Sequence, residues 1–193
     1  ILFKKMDVRY SYLSQQFANA DDLWVRLKKF VATGDFTLGS ELNKFEISFA
    51  KLIGTKFAVG VNSGTDALKL SLKAIGIKPG DEVITAANTF VATVGAIHEI
   101  GAKIVFVDCD DTFCMNVDLV EKKITKKTKA ILPVHFTGYM TNMPKLVTIS
   151  RKYNIPIVED ACQSILGSIN KKKAGTWGIT GAFSLHPLKN INV

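Results

Sequence analysis

At 193 residues, the chain is long enough for one domain with a substantial core, and it needs no disulfide or metal staples to fold. Hydrophobic residues at 47% and charged residues at 22% exclude a disordered or fibrous polypeptide. The net charge of +8 collects in Lys122, Lys123, Lys126, Lys127 and Lys129, then in Lys171, Lys172 and Lys173. These runs lack interleaved aromatics and match no nucleic-acid module, so they read as solvated helix and loop faces, with no nucleic-acid partner expected. A secondary reading is that the positive field favours phosphate-bearing ligands.

In chain order, the first helical pattern is Leu42, Phe45, Phe49, Leu52 and Ile53, closed by Gly54 as C-cap. Residues 1–38 ahead of it are expected to form an N-terminal arm and helix. The mixed stretch Gly34-Asp35-Phe36-Thr37-Leu38-Gly39 reads as a loop. Residues 39–193 form the main domain. Within it, β-rich runs are expected at Phe57 to Val61, Val83 to Ala86, Ile104 to Val107, Ala130 to Val134, Ile155 to Val158 and Ala182 to Leu185. Segments long enough for crossover helices separate most of them, which predicts an α/β domain with a mainly parallel sheet covered on both faces. Lys78-Pro79-Gly80-Asp81 is a turn before a strand, and Gly101-Ala102 closes a helix before the next one.

The three cysteines, Cys109, Cys114 and Cys162, show neither CxxC spacing nor a histidine cluster. They argue against a disulfide framework or a metal site and suit a reducing cytoplasm. Ile1-Leu2-Phe3-Lys4-Lys5 is too short an apolar start for a secretory leader, and no later run approaches a membrane span.

An open parallel sheet places ligands at its strand ends. After the first β-run comes Asn62-Ser63-Gly64-Thr65-Asp66-Ala67-Leu68. It reads either as a plain helix N-cap or as a phosphate site built from free N–H groups and the helix dipole. It is neither a Walker A loop nor a GxGxxG fingerprint. Phe90, in Asn88-Thr89-Phe90-Val91-Ala92-Thr93, either stacks on a flat heteroaromatic ring or fills core. Asp160, in Glu159-Asp160-Ala161-Cys162-Gln163, needs a partner at a buried strand end: a cationic ring nitrogen, or structural hydrogen bonds. Gln163 could then address a neighbouring ring oxygen. Lys189 follows the last apolar run and the rigid Pro187, which makes it either a surface lysine or an imine-forming amine. Together these groups fit pyridoxal 5'-phosphate: a phosphate anchor, a stacking face, an anion for the ring nitrogen and a lysine for the aldehyde.

The segments Gly34 to Gly39, Val61 to Leu68, Asn88 to Thr93, Pro133-Val134-His135 with Gly138, Glu159 to Gln163, and Phe183 to Asn190 resemble, in order, motifs of the DegT/DnrJ/EryC1/StrS aminotransferases. The resemblance covers nearly the whole chain. It implies the three-layer α/β/α large domain of fold type I, incomplete at its C-terminus in this N-terminal fragment. It also implies an enzyme that aminates a nucleotide-linked keto-sugar, with glutamate as donor, in polysaccharide or secondary-metabolite sugar biosynthesis. By position, Lys189 matches the cofactor-holding lysine and general acid/base, Asp160 the ring-nitrogen partner, Gln163 the ring-hydroxyl contact and Phe90 the stacking residue. Gly64, Thr65 and Ser184 match phosphate anchors. A homodimer with shared active sites is implied as well. One alternative is a pyridoxamine-phosphate-dependent sugar dehydratase, in which histidine replaces the lysine; Lys189 argues against it. The other is a truncated, non-catalytic regulatory or binding homologue.

Overall fold

The computed structural model describes residues 11–191; the beginning of the expected N-terminal arm, residues 1–10, lies outside the described residues. Two compact units divide between Phe45 and Glu46. The first carries helix α1 (Leu13–Gln16) and helix α2 (Asp21–Thr33). Asp21 and Asp22 occupy the first turn of α2, where their charge suits the helix dipole, and Gly34 ends it in the left-handed conformation at φ 67°. Residues 34–39 form a loop as expected. Asp35 Oδ2 accepts from Ser40 N at 2.9 Å, at the start of helix α3 (Ser40–Ile53). Ala50 and Ile53 are the buried residues of α3, and Gly54 terminates it at φ 93°.

The second unit is built on a parallel sheet. Its strands are β1 (Glu82–Ala86), β2 (Lys103–Val107), β3 (Thr128–Leu132) and β4 (Val158–Asp160), followed by the short hairpin β5 (Ser168–Ile169) and β6 (Lys172–Lys173), then β7 (Thr180–Ala182). Hydrogen bonding gives the order β2-β1-β3, with β4-β7 beside it. Parallel bridges Ile131↔Ile157 and Val134↔Asp160 join the two parts. All pairs are parallel except the β5–β6 hairpin, because helix α5 (Val91–Glu99) carries the crossover from β1 to β2 and helix α6 (Met143–Tyr153) the one from β3 to β4.

Alternate residues of the strands face two separate cores. Val83, Ala130, Leu132 and Val158 pack with Ala96 and Ile97 of α5 and with Leu68 and Leu72 of helix α4 (Gly64–Ala74). Ile84, Ile131 and Ile157 pack with Met143, Leu146 and Ile149 of α6. The result is the three-layer α/β/α arrangement the sequence implies. Each fully buried leucine or isoleucine contributes ~1.5–3 kcal/mol through removal of apolar surface from water.

Four expected strands differ from those observed. The run expected at Ala130 to Val134 is β3, which ends at Leu132, Val134 making only a single bridge to Asp160. Phe57 to Val61 is not a strand; no described strand pairs with it, and Phe57 and Val59 stand exposed at 73% and 77%. β propensity alone does not make a strand when backbone N–H and C=O groups find no ladder. The run expected at Ile155 to Val158 pairs later, as β4, because Pro156 has no N–H to donate and contact there is a single bridge at Ile157. The run expected at Ala182 to Leu185 is β7, which stops at Ala182, where its register partner Asp160 ends β4. Ser184 and Leu185 therefore belong to a loop.

Candidate active site

The C-terminal ends of β1, β4 and β7 and the N-terminus of α4 carry the residues singled out from sequence. Ser63 caps α4: its Oγ accepts from Asp66 N at 3.1 Å. The capping and anion-binding readings are compatible, because helix geometry leaves the N–H groups of Gly64 and Thr65 with no carbonyl a turn earlier. Gly64 permits close approach by two other loops. A Cβ placed there would stand 2.9 Å from Cys162 Sγ and 3.1 Å from Ser184 Cβ. Gly64, Ser184 and Cys162 are thus packed together, with Thr65 next to them in the first turn.

Phe90 is the N-cap residue of α5, with extended φ/ψ of −72° and 146°, and it is 61% exposed. It does not fill core. One turn into the same helix, buried Thr93 donates from Oγ1 to Asp160 Oδ2 at 2.8 Å. The other oxygen, Oδ1, accepts from Cys162 N at 3.2 Å. The Asp160 backbone is held as well, with its N–H on Pro133 O at 2.9 Å and its carbonyl accepting from His135 N at 3.0 Å.

Gln163 Oε1 accepts from Thr137 N at 2.8 Å. That bond assigns the amide orientation and leaves Nε2 as the outward donor. Thr137 holds φ 54°, a left-handed conformation inside the short turn Phe136–Gly138. Lys189 is half-buried, its N–H bonded to His186 O at 2.8 Å, and its Nζ lies 5.8 Å from the centre of the Phe90 ring. Ser184 Oγ accepts from His186 N at 3.3 Å, which ties Ser184 to the loop that carries Lys189. Burial, then the charge and hydrogen bonding of Asp160, push the Cys162 thiol well above the usual thiol range, and the Lys189 charge partly offsets this.

Sequence reasoning assigned no role to Thr93, Thr137, His135 or Glu159 individually. Glu159 points away from Asp160, to the other side of β4, and is fully buried. Its Oε2 faces His135 Nε2 at 3.0 Å and accepts from Gly175 N at 2.9 Å, while Oε1 accepts from Trp177 N at 2.6 Å and Gly178 N at 2.7 Å. His135 Nδ1 accepts from Thr141 N at 3.4 Å, so the hydrogen bonding assigns the proton to Nε2. The period of two along a strand was the available signal: only one of two adjacent acids can face a given side.

All three cysteines are free, and no group of metal-binding side chains occurs among the described residues. The model of the DegT/DnrJ/EryC1/StrS aminotransferase family matches residues 19–193. Over 172 residues the chain is 41% identical to the UDP-N-acetyl-3-dehydro-alpha-D-glucosamine 3-aminotransferase of Acidithiobacillus ferrooxidans, covering 89% of this chain and 47% of that protein. Among solved structures, DesV of S. venezuelae, crystallised in complex with a ketimine intermediate, superposes with a TM-score of 0.91 at 37% identity, covering 96% of this chain and 50% of that one. NtdA of Bacillus subtilis with bound cofactor PMP gives 0.91 at 34% identity, covering 99% and 44%. The chain spans about half the length of the curated relatives it matches.

Proposed function

We propose, from the premise that this chain belongs to the DegT/DnrJ/EryC1/StrS aminotransferase family, that the full-length protein moves an amino group from glutamate to the keto group of a nucleotide-linked sugar, with pyridoxal 5'-phosphate as cofactor. The observation that carries this reading is Lys189 Nζ beside the open face of Phe90, at the same sheet edge as Asp160. The donor set fits the cofactor. Gly64 leaves space that a Cβ would fill against Ser184, and an N–H-rich helix start suits a phosphate.

When bound, pyridoxal phosphate supplies a protonated pyridine ring that takes up electron density from the bond being broken. The chain's own groups have separate tasks. Gly64, Thr65 and Ser184 bind the phosphate, and Phe90 offers its ring face. Asp160 keeps a proton at the ring nitrogen, and the Gln163 amide donates to the ring oxygen. Lys189 holds the cofactor covalently, and its amine moves the proton during amino transfer.

Residues 39–193 are, in this reading, the cofactor-binding large domain, and the protein is a cytoplasmic homodimer with shared active sites. Among the described residues no helix is long and apolar enough to cross a membrane. Lys189 stands where the family's dehydratases carry histidine, which favours amino transfer over dehydration.

The test is incubation of the full-length protein with pyridoxal phosphate, ¹⁵N-glutamate and a panel of 3-keto and 4-keto nucleotide sugars. The expected result is 2-oxoglutarate together with a ¹⁵N-labelled amino-sugar nucleotide. Absence of both across the panel contradicts the proposal and favours a non-catalytic homologue.

A further inference from the structure

The residue ahead of the α5 N-cap and the first turn of α5 carry a hydrogen-bonded line of hydroxyls that ends on Asp160. Thr89 Oγ1 and Thr93 Oγ1 are 2.7 Å apart, and Thr93 Oγ1 is 2.8 Å from Asp160 Oδ2. Each hydroxyl has one proton to give, and a carboxylate can only accept. Thr93 must therefore spend its proton on Asp160, and Thr89 must donate to Thr93. The direction of the line is fixed as Thr89 to Thr93 to Asp160. Thr93 has no exposed surface, so water does not substitute for it, and such a charge-assisted bond is among the stronger ones.

We infer that Thr93, backed by Thr89, is a positioning residue that aims the Asp160 carboxylate and sets its hold on the cofactor's ring nitrogen. Thr93 Oγ1 occupies Oδ2 from the α5 side, and Cys162 N occupies Oδ1 from the chain just after β4. Two donors from two elements prevent rotation about the Cβ–Cγ bond, leaving the remaining lone pairs with one fixed direction. The same helix turn presents Phe90, whose carbonyl accepts from Thr93 N at 3.0 Å. The stacking face and the grip on the acid are therefore set by one rigid unit. This inference rests on the reading of Asp160 as the ring-nitrogen partner.

The experiment compares two ligands on the full-length protein stripped of cofactor: pyridoxamine phosphate, and its 1-deaza analogue, in which CH replaces the ring nitrogen. Dissociation constants are measured by calorimetry. Wild type is expected to prefer pyridoxamine phosphate. Thr93→Val should weaken that ligand about ten-fold and leave the deaza analogue unchanged. Thr93→Ser should restore the preference, and Thr89→Ala should lower it by a smaller factor. Asp160→Asn and the Thr93→Val/Asp160→Asn double variant should bind alike, because Thr93 acts through Asp160.

Equal weakening of both ligands in Thr93→Val, or no weakening of either, overturns the positioning role. If Thr93→Val does not fold, Thr93→Ser and Thr89→Ala decide by the same ratio: serine should keep the preference and Thr89→Ala should lower it, and an unchanged preference in Thr89→Ala overturns the positioning role. Failure of wild type to distinguish the two ligands is a different result. It overturns the assignment of Asp160 itself, and failure to bind either overturns the cofactor reading.

Discussion

His135 Nε2 lies 3.0 Å from Glu159 Oε2, with both side chains entirely buried on the side of β4 away from Asp160. Glu159 also gathers the backbone N–H groups of Gly175, Trp177 and Gly178. It thus fixes the loop that leads into β7, and through β7 the segment bearing Ser184 and Lys189. Glu159→Ala strands several buried donors at once and is expected to destabilise the protein by roughly 3–5 kcal/mol. Glu159→Gln should cost less, because one carbonyl oxygen remains, although its NH₂ meets a donor. Urea unfolding of the full-length variants measures both.

Gly64 is a matter of space. Gly64→Ala puts a methyl 2.9 Å from Cys162 Sγ and 3.1 Å from Ser184 Cβ, which should cost about 1–3 kcal/mol of stability and weaken pyridoxamine phosphate binding by displacing Ser184. Adding Cys162→Ala removes the nearer obstacle. Calorimetry and thermal melting should show the double variant regaining part of both losses.

The Cys162 thiol is held protonated by burial first and by Asp160 second. Thiolate, and not thiol, is the reactive form. Iodoacetamide at neutral pH should therefore leave Cys162 unmodified in the native protein and label it after denaturation, as read by peptide mass mapping. Asp160→Asn should speed native labelling by removing the carboxylate that opposes the thiolate.

Glu82 begins β1, where the Thr125 hydroxyl, at 2.6 Å, and then Lys103, at 3.1 Å, hold its carboxyl below the usual range. A depressed folded-state value means that the unfolded chain binds the proton more readily. The stabilisation is present above the unfolded-state value and is lost as the pH falls through the folded one. Glu82→Gln should accordingly be less stable than wild type near neutrality, with the gap closing below about pH 4. Urea midpoints measured across that range check the sign.

The layered sheet is legible in the sequence because short apolar runs alternate with segments of helix length, and because turns such as Lys78 to Asp81 are encoded locally. Phe57 to Val61 misleads for the converse reason. Its composition favours a strand, but strand formation depends on a neighbour, which composition does not report. The candidate site residues are legible as a set at strand ends, and the structure brings Gly64 to Ser184 and Lys189 to Phe90. Their supports are not. Thr93 meets Asp160 across 67 positions of sequence and Thr137 meets Gln163 across 26, so only the folded chain reveals that a threonine beside Phe90 holds an acid on β4.

Lys189 is the residue proposed to hold pyridoxal phosphate. The full-length protein, loaded with the cofactor, reduced with borohydride and digested, should yield a single pyridoxyl-modified peptide, the one containing Lys189, and Lys189→Ala should yield none. A modified peptide that persists in Lys189→Ala, or wild-type modification at another lysine in place of Lys189, contradicts the assignment of Lys189.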